Sequence, residues 1–209
     1  MKQFKTLVLV AIISLGFASC SDDETISLVD PNVSSQMVNL HAPVITDYTQ
    51  NPPVTSGEFT KFSFSTGAVV TGENWDVAFR GTSIIVNGGS EIGLTDEPSR
   101  TGNGAIALEN GIFTEVVTAP SDEFFTQDAA NTYALPTGSG NGWYTYNGQT
   151  HLISPVLGTV IIVKTHNGHY AKMEILSYYK DGDSSDLDNS RYYTFNYSYN
   201  PNQGDKNLQ

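Results

Sequence analysis

Residues 191–199 read Arg-Tyr-Tyr-Thr-Phe-Asn-Tyr-Ser-Tyr, so Tyr193, Phe195, Tyr197 and Tyr199 alternate with Tyr192, Thr194, Asn196 and Ser198. A side-chain period of two belongs to an extended strand, in which successive Cβ atoms point to opposite faces. One face of this segment is therefore aromatic and the other polar, and the segment is expected to close a sheet antiparallel to Tyr170–Tyr178. From Gly57 onward the same idiom recurs: short runs of Val, Ile, Thr, Phe and Tyr are punctuated by Gly, Asn, Asp and Pro, and no window longer than about ten residues carries an apolar stripe of helical period. Strands are expected at Thr60–Ser65, Asn74–Arg80, Ser83–Asn87, Ala105–Leu108, Gly142–Tyr146, Val160–Thr165, Tyr170–Tyr178 and Arg191–Tyr199. Val160-Ile161-Ile162-Val163 is apolar toward both faces, which assigns it a central place, and His166-Asn167-Gly168-His169 supplies a tight turn into the next strand. The 209 residues, with 19 Gly and 9 Pro, suit one all-β domain: a single compact antiparallel β unit, with no repeat period.

The front of the chain carries an address. Lys2 and Lys5 precede an apolar run from Thr6 to Phe17, followed by Ala18, Ser19 and the chain's only cysteine, Cys20. Residues 1–19 read as a secretory signal peptide, too short to serve comfortably as a permanent membrane span. A cysteine placed directly after small residues resembles the lipobox of bacterial lipoproteins, in which that cysteine is lipidated and becomes the mature N-terminus. The other reading is a secreted protein cut nearby with a spare thiol. Ser21-Asp22-Asp23-Glu24 resembles the acidic tag that directs Bacteroidetes lipoproteins to the outer face of the outer membrane, or else is a solvated acidic linker. Residues 20–56 are expected to be the lipidated Cys20 and a tether rich in Pro, Asn, Ser and Thr, residues 57–200 the β domain, and residues 201–209 a polar tail. A net charge of −12, with no Lys/Arg cluster, argues against nucleic-acid binding, whose affinity rests on cationic contacts to phosphates.

Few residues point to chemistry. There is no Gly-x-Ser-x-Gly elbow, no His-Glu-x-x-His and no phosphate-binding glycine loop, so an enzyme is not expected. Asp181, Asp183, Asp186 and Asp188 form the one dense carboxylate cluster, but its spacing departs from a calcium loop and a solvated loop between strands is the simpler reading. His166 and His169 flank a turn and together suit at most an adventitious divalent metal. His41 and Met37 lie in the tether, where they could cap a pocket. Met173 alternates with Lys172 and Glu174 as a core residue does. If Asn74–Arg80 alternates as a strand, Trp75, Val77 and Phe79 share the core face, while Asp76 and Arg80 share the other and can pair. His151 follows an Asn147-Gly148 turn, at the start of a short strand, where a surface or structural histidine is a more natural reading than a ligand.

Taken in order, Asn74-Trp75-Asp76-Val77-Ala78-Phe79-Arg80-Gly81, Gly142-Trp143-Tyr144, Val160-Ile161-Ile162-Val163-Lys164 with Asn167-Gly168, Ala171-Lys172-Met173, Ser177-Tyr178-Tyr179 and Tyr193-Thr194-Phe195-Asn196-Tyr197 resemble the HmuY family of Bacteroidetes surface lipoproteins. The resemblance covers Gly57 to Tyr199. It implies a lipid-anchored, surface-exposed haemophore that binds haem or a related porphyrin for delivery to an outer-membrane receptor. Haem iron takes axial ligands from His, Met, Cys or Tyr. In the founding branch of the family two histidines serve, one before the Gly-Trp motif and one about five residues after its Trp; some relatives use methionines. Here Gly111–Asn141 contains neither His nor Met, and Gly148 stands five residues after Trp143. His151, three positions further on, is the cofactor-binding residue that the resemblance supports, and a bis-histidine site is not implied. The alternative is a glycan-, peptide- or receptor-binding module on the same fold, for which the 11 tyrosines provide surface.

Overall fold

The computed structural model describes residues 29–209. The signal peptide, Cys20 and the acidic tag lie outside the described residues. Thirteen strands follow in order: β1 Val33–His41, β2 Ile45–Asp47, β3 Val54–Ser56, β4 Thr60–Ser63, β5 Ala68–Val70, β6 Val77–Arg80, β7 Ser83–Val86, β8 Ala105–Asn110, β9 Tyr144–Tyr146, β10 Ile153–Pro155, β11 Thr159–Lys164, β12 Tyr170–Tyr179 and β13 Ser190–Asn200. They form a five-stranded sheet, β1-β13-β12-β11-β8, a four-stranded sheet, β5-β4-β6-β7, and the two-stranded ribbons β2-β3 and β9-β10, with every named strand pair antiparallel. The all-β, antiparallel expectation holds, and β13 does pair β12, with Met173 opposite Tyr197 and Ile175 opposite Phe195.

The aromatic face of β13 explains why two sheets stack. Tyr193, Phe195, Tyr197 and Tyr199 are all buried, in one cluster with Met173 and Ile175 of β12, Ile161 and Val163 of β11, Phe62 of β4, Val77 and Phe79 of β6, and Ile84 and Val86 of β7. The two sheets meet through aromatic contacts: Phe62 stands edge-on to Phe195 at 5.3 Å and Phe79 stacks on it at 5.7 Å. Such pairs add about 0.5–1.5 kcal/mol each beyond the area they bury. β11 lies between β12 and β8, and its second face is covered as well: Val160 and Ile162 pack with Ala107, Ala119, Tyr170 and Leu208. The apolar run on both faces of β11 thus has a layer on each side.

The structure differs from the sequence reading at both ends. Part of the expected tether is β1, the edge strand of the larger sheet, paired along β13 from Val33–Tyr199 to His41–Tyr192. The expected polar tail is pinned: Leu208 is buried, and its amide donates to the Val117 carbonyl at 2.8 Å. Trp75 also departs from expectation. It precedes β6 and does not join Val77 and Phe79, but packs with Phe59, Ala78, Ile85 and Ile92 on the outer side of the smaller sheet.

Asp76 and Arg80 do not pair. Asp76 Oδ2 accepts from the Phe64 amide at 2.8 Å and Oδ1 accepts from the His166 amide at 3.1 Å, while Arg80 donates to the Gly57 and Thr95 carbonyls and lies over the Phe59 ring at 4.2 Å. A buried carboxylate must be matched by donors, and backbone amides reach Asp76 before the more distant guanidinium does. Asp128 is matched in the same way, by the Val86 and Ala134 amides at 2.9 and 2.8 Å and by Arg100 at 2.9 Å.

Candidate functional site

The β9–β10 ribbon projects from the core on an aromatic base. Trp143, immediately before β9, is buried, donates its indole N–H to the Thr82 carbonyl at 3.0 Å, and packs against Tyr144, Tyr178 and Tyr193 with ring centroids 4.9, 5.7 and 5.1 Å away. Burial pushes the Tyr178 and Tyr193 hydroxyls well above the ordinary phenol range, with Arg191 opposing the rise at Tyr178. These two tyrosines are structural, and Tyr193 donates to the Gly81 carbonyl at 2.8 Å. The ribbon is clamped to the larger sheet where the Ile153 amide donates to Tyr179 Oη at 2.9 Å.

The turn between the two strands is built by Asn147. Its amide donates to the Leu152 carbonyl at 2.9 Å, and its side-chain oxygen accepts from the Gln149 and Thr150 amides at 2.9 and 3.2 Å. An Asx side chain that replaces backbone acceptors in this way fixes a turn. His151 closes the turn at φ 59°, in the left-handed region, and its Nδ1 lies 2.6 Å from Tyr146 Oη across the ribbon. Tyr146 is anchored behind by its amide, which donates to Ser139 Oγ at 2.8 Å.

Tyr146 and His151 line a groove of about 610 Å³ that runs between the ribbon, the β6–β7 turn, β2 and the start of β13. Its walls include Val44, Tyr48, Ile153, Tyr179 and Leu187, and Arg191 stands in it at φ 73°. Thr46, Thr82, Asp188 and Ser190 complete the lining, so the groove is open and mixed in polarity. Two non-glycine residues held in the left-handed region on one groove are of the kind that concentrates at binding sites. At Gly81, which also lines the groove, φ is 54° and an added Cβ would press on Val44 at 3.2 Å, so the β6–β7 turn takes glycine there.

The other sequence candidates are dispersed. His166 Nδ1 lies 2.7 Å from Asp76 Oδ1, and that hydrogen bond raises the imidazole's pKa. His169 Nδ1 lies 3.0 Å from Asn167 Oδ1, so the two turn histidines are turned to different partners. His41 stacks on Tyr192 at 4.4 Å, Met37 packs on the core from β1, and Met173 is fully buried as expected. In the acidic loop Asp183 and Asp186 accept from the Ser185 and Asp188 amides, each at 2.9 Å, as turn caps do. Among the described residues no three His, Cys, Asp or Glu side chains gather as a metal site, and no helix is long and apolar enough to cross a membrane.

A second groove, of about 560 Å³, lies beside the β11–β12 turn, with Asn103, Asp122, Gln127, Asn167 and Gln203 around Phe125 and Lys164, and its lining is no more polar than that of the first. Sequence reasoning found His151 but missed Tyr146, Tyr48 and Arg191. The spacing of Tyr146 and His151 about an Asn-Gly turn was the one available signal for the first of these.

The family described as HmuY protein matches residues 56–197. Among solved structures, the chain is similar to the crystal structure of the Tannerella forsythia apo HmuY analog, at 15% identity and a TM-score of 0.46, over 83% of this chain and 99% of that one. No curated protein matches it.

Proposed function

Since the chain belongs to the HmuY family, we propose that it is a non-enzymatic, surface-held binding protein that takes haem or a related porphyrin in the groove beside the β9–β10 ribbon. The observation that carries this reading is the place of His151. Of the chain's four histidines it alone lines a groove whose walls include tyrosines and aliphatic side chains, beside Thr46, Thr82, Asp188 and Ser190. The donor set fits the group: imidazole and phenol are both ligand types that haem iron accepts, Tyr48, Tyr179, Ile153 and Leu187 offer walls to a flat macrocycle, and Arg191 offers a cation to its carboxylates. Bound there, haem would supply a ferric iron and a large apolar surface. The protein's part is to seat it and keep it from water.

The signal peptide and Cys20 support a lipid anchor, and Ser21–Glu24 supports placement on the outer face of an outer membrane, from which a receptor in that membrane would receive the ligand. A second reading is favoured by the second groove, whose amide side chains around Phe125 suit the hydroxyls and apolar face of a sugar.

The test is a ferric haem titration of the chain from Ser21 onward, which holds every element described above, followed at the Soret band. Saturable one-to-one binding, weakened at least about tenfold (about 1.4 kcal/mol) by His151→Ala, is expected. Absence of a saturable shift overturns the haem reading and turns attention to the second groove.

A further inference from the structure

The turn that carries His151 also holds one of six Asn-Gly pairs in the chain, at residues 87–88, 103–104, 110–111, 141–142, 147–148 and 167–168. In such a pair the glycine nitrogen can attack the carboxamide carbon of the asparagine, and the missing Cβ leaves that approach open. We propose that Asn147 is a self-modification site, which deamidates through a succinimide formed with Gly148, ahead of the other five pairs, and so changes the charge and the course of the ribbon turn.

Folding separates six pairs that are alike in sequence. The reaction needs a glycine amide free to give up its proton, a carboxamide nitrogen free to leave, and room for the ring. The Gly88, Gly104, Gly111 and Gly168 amides are all occupied, donating to the Val86, Asn87, Gly158 and Thr165 carbonyls at 2.9, 2.8, 2.8 and 3.1 Å. Asn87 is also buried, with Nδ2 donating to the Glu73 and Trp75 carbonyls. Asn141 Nδ2 donates to the Thr137 carbonyl at 3.1 Å, and Gly142 is buried so close to the Pro136 carbonyl that an added Cβ would lie 2.2 Å from its oxygen. Asn147 and Gly148 are both exposed. Among the described residues neither the Gly148 amide nor Asn147 Nδ2 has a hydrogen-bond acceptor, and the space a Gly148 Cβ would take meets only Tyr146 Cε1, at 4.0 Å.

The turn does more than leave the pair free. Backbone amides only donate, so the Asn147 atom that meets those of Gln149 and Thr150, at 2.9 and 3.2 Å, is the carboxamide oxygen. That contact folds the side chain back along the Gly148 main chain. When the Gly148 nitrogen bonds to Cγ, negative charge develops on this oxygen, and two amide donors already face it.

Water is the one co-reactant. The Gly148 N–H gives its proton to solvent, the N–Cγ bond forms, and the bond from Cγ to Nδ2 breaks as ammonia leaves. Water then opens the ring at either carbonyl, giving an aspartyl or an isoaspartyl residue with no change of oxidation state. Both products place a carboxylate on the turn. The isoaspartyl form also routes the main chain through Cβ, which lengthens a turn that holds His151 at φ 59° beside Tyr146. The site stands whether or not the groove takes haem.

The chain from Ser21 onward, aged in mildly alkaline buffer, tests this by peptide mapping at all six pairs, with an isoaspartyl methyltransferase to count the rearranged product. Asn147 should convert at least about tenfold faster than any other pair in the folded protein, and that lead should vanish in urea, where sequence alone governs. In the aged protein the amide signals of Tyr146 and His151 should move. Another pair that leads in the folded protein, no conversion at Asn147 while the urea-unfolded chain converts, or a lead that persists in urea overturns the inference. Unmoved Tyr146 and His151 signals in converted protein overturn its effect on the ribbon.

Discussion

At the scale of single residues, the polar side chains that resemble functional groups are mostly engaged in holding the fold. His166 is the clearest case, because its ring closes onto Asp76 from a turn 90 residues away in sequence. The hydrogen bond to Asp76 raises its pKa above the ordinary histidine value of 6.5. A raised folded-state pKa means that the stabilisation is fully present below about pH 6.5 and is lost as pH rises through the folded value. The urea midpoint is therefore expected to fall between pH 6 and pH 9, and His166→Ala should flatten that fall; an equal fall in the variant would show that the Asp76 contact contributes nothing. His151 differs in kind, since its one side-chain partner is another groove residue. Sequence reading could nominate His151, but Arg191 and Tyr48 carried no sign of their role until tertiary contacts brought them to the same groove.

Among the secondary-structure elements, legibility followed burial. β11, β12 and β13 were readable because one or both faces of each are buried, and that burial imposes a pattern on the sequence. β1 was not. In Val33–His41 only Leu40 is buried, the register shifts between Met37 and Leu40, and the pairing partner lies at the other end of the chain. An edge strand with so little to bury has no pattern to display. Trp75 was misplaced for a related reason: β6 begins two residues after it, so strand alternation does not extend to its side chain. The β9–β10 ribbon, only three residues on each side, depends on its clamps. Tyr179→Phe removes the acceptor of the Ile153 amide, which should cost about 1–3 kcal/mol and speed exchange of that amide in hydrogen-exchange NMR. Unchanged protection at Ile153 would mean that core packing alone holds the ribbon.

For the molecule as a whole, two stacked antiparallel sheets provide a rigid base, and the groove is assembled from loops and strand ends that only the finished fold brings together. Fold class and family were legible because they rest on buried, repeating patterns spread over most of the chain. The ligand chemistry was less so, because it depends on a few contacts between distant segments. The central claim is one of place: ligand enters beside the β9–β10 ribbon rather than beside the β11–β12 turn. The most direct measurement is an amide chemical-shift map of the 15N-labelled protein titrated with a diamagnetic gallium(III) porphyrin in place of haem. Shifts that saturate and centre on Tyr146, His151, Tyr48 and Arg191 are predicted. Shifts centred on Asn103, Gln127 and Gln203, or none that saturate, would contradict the account.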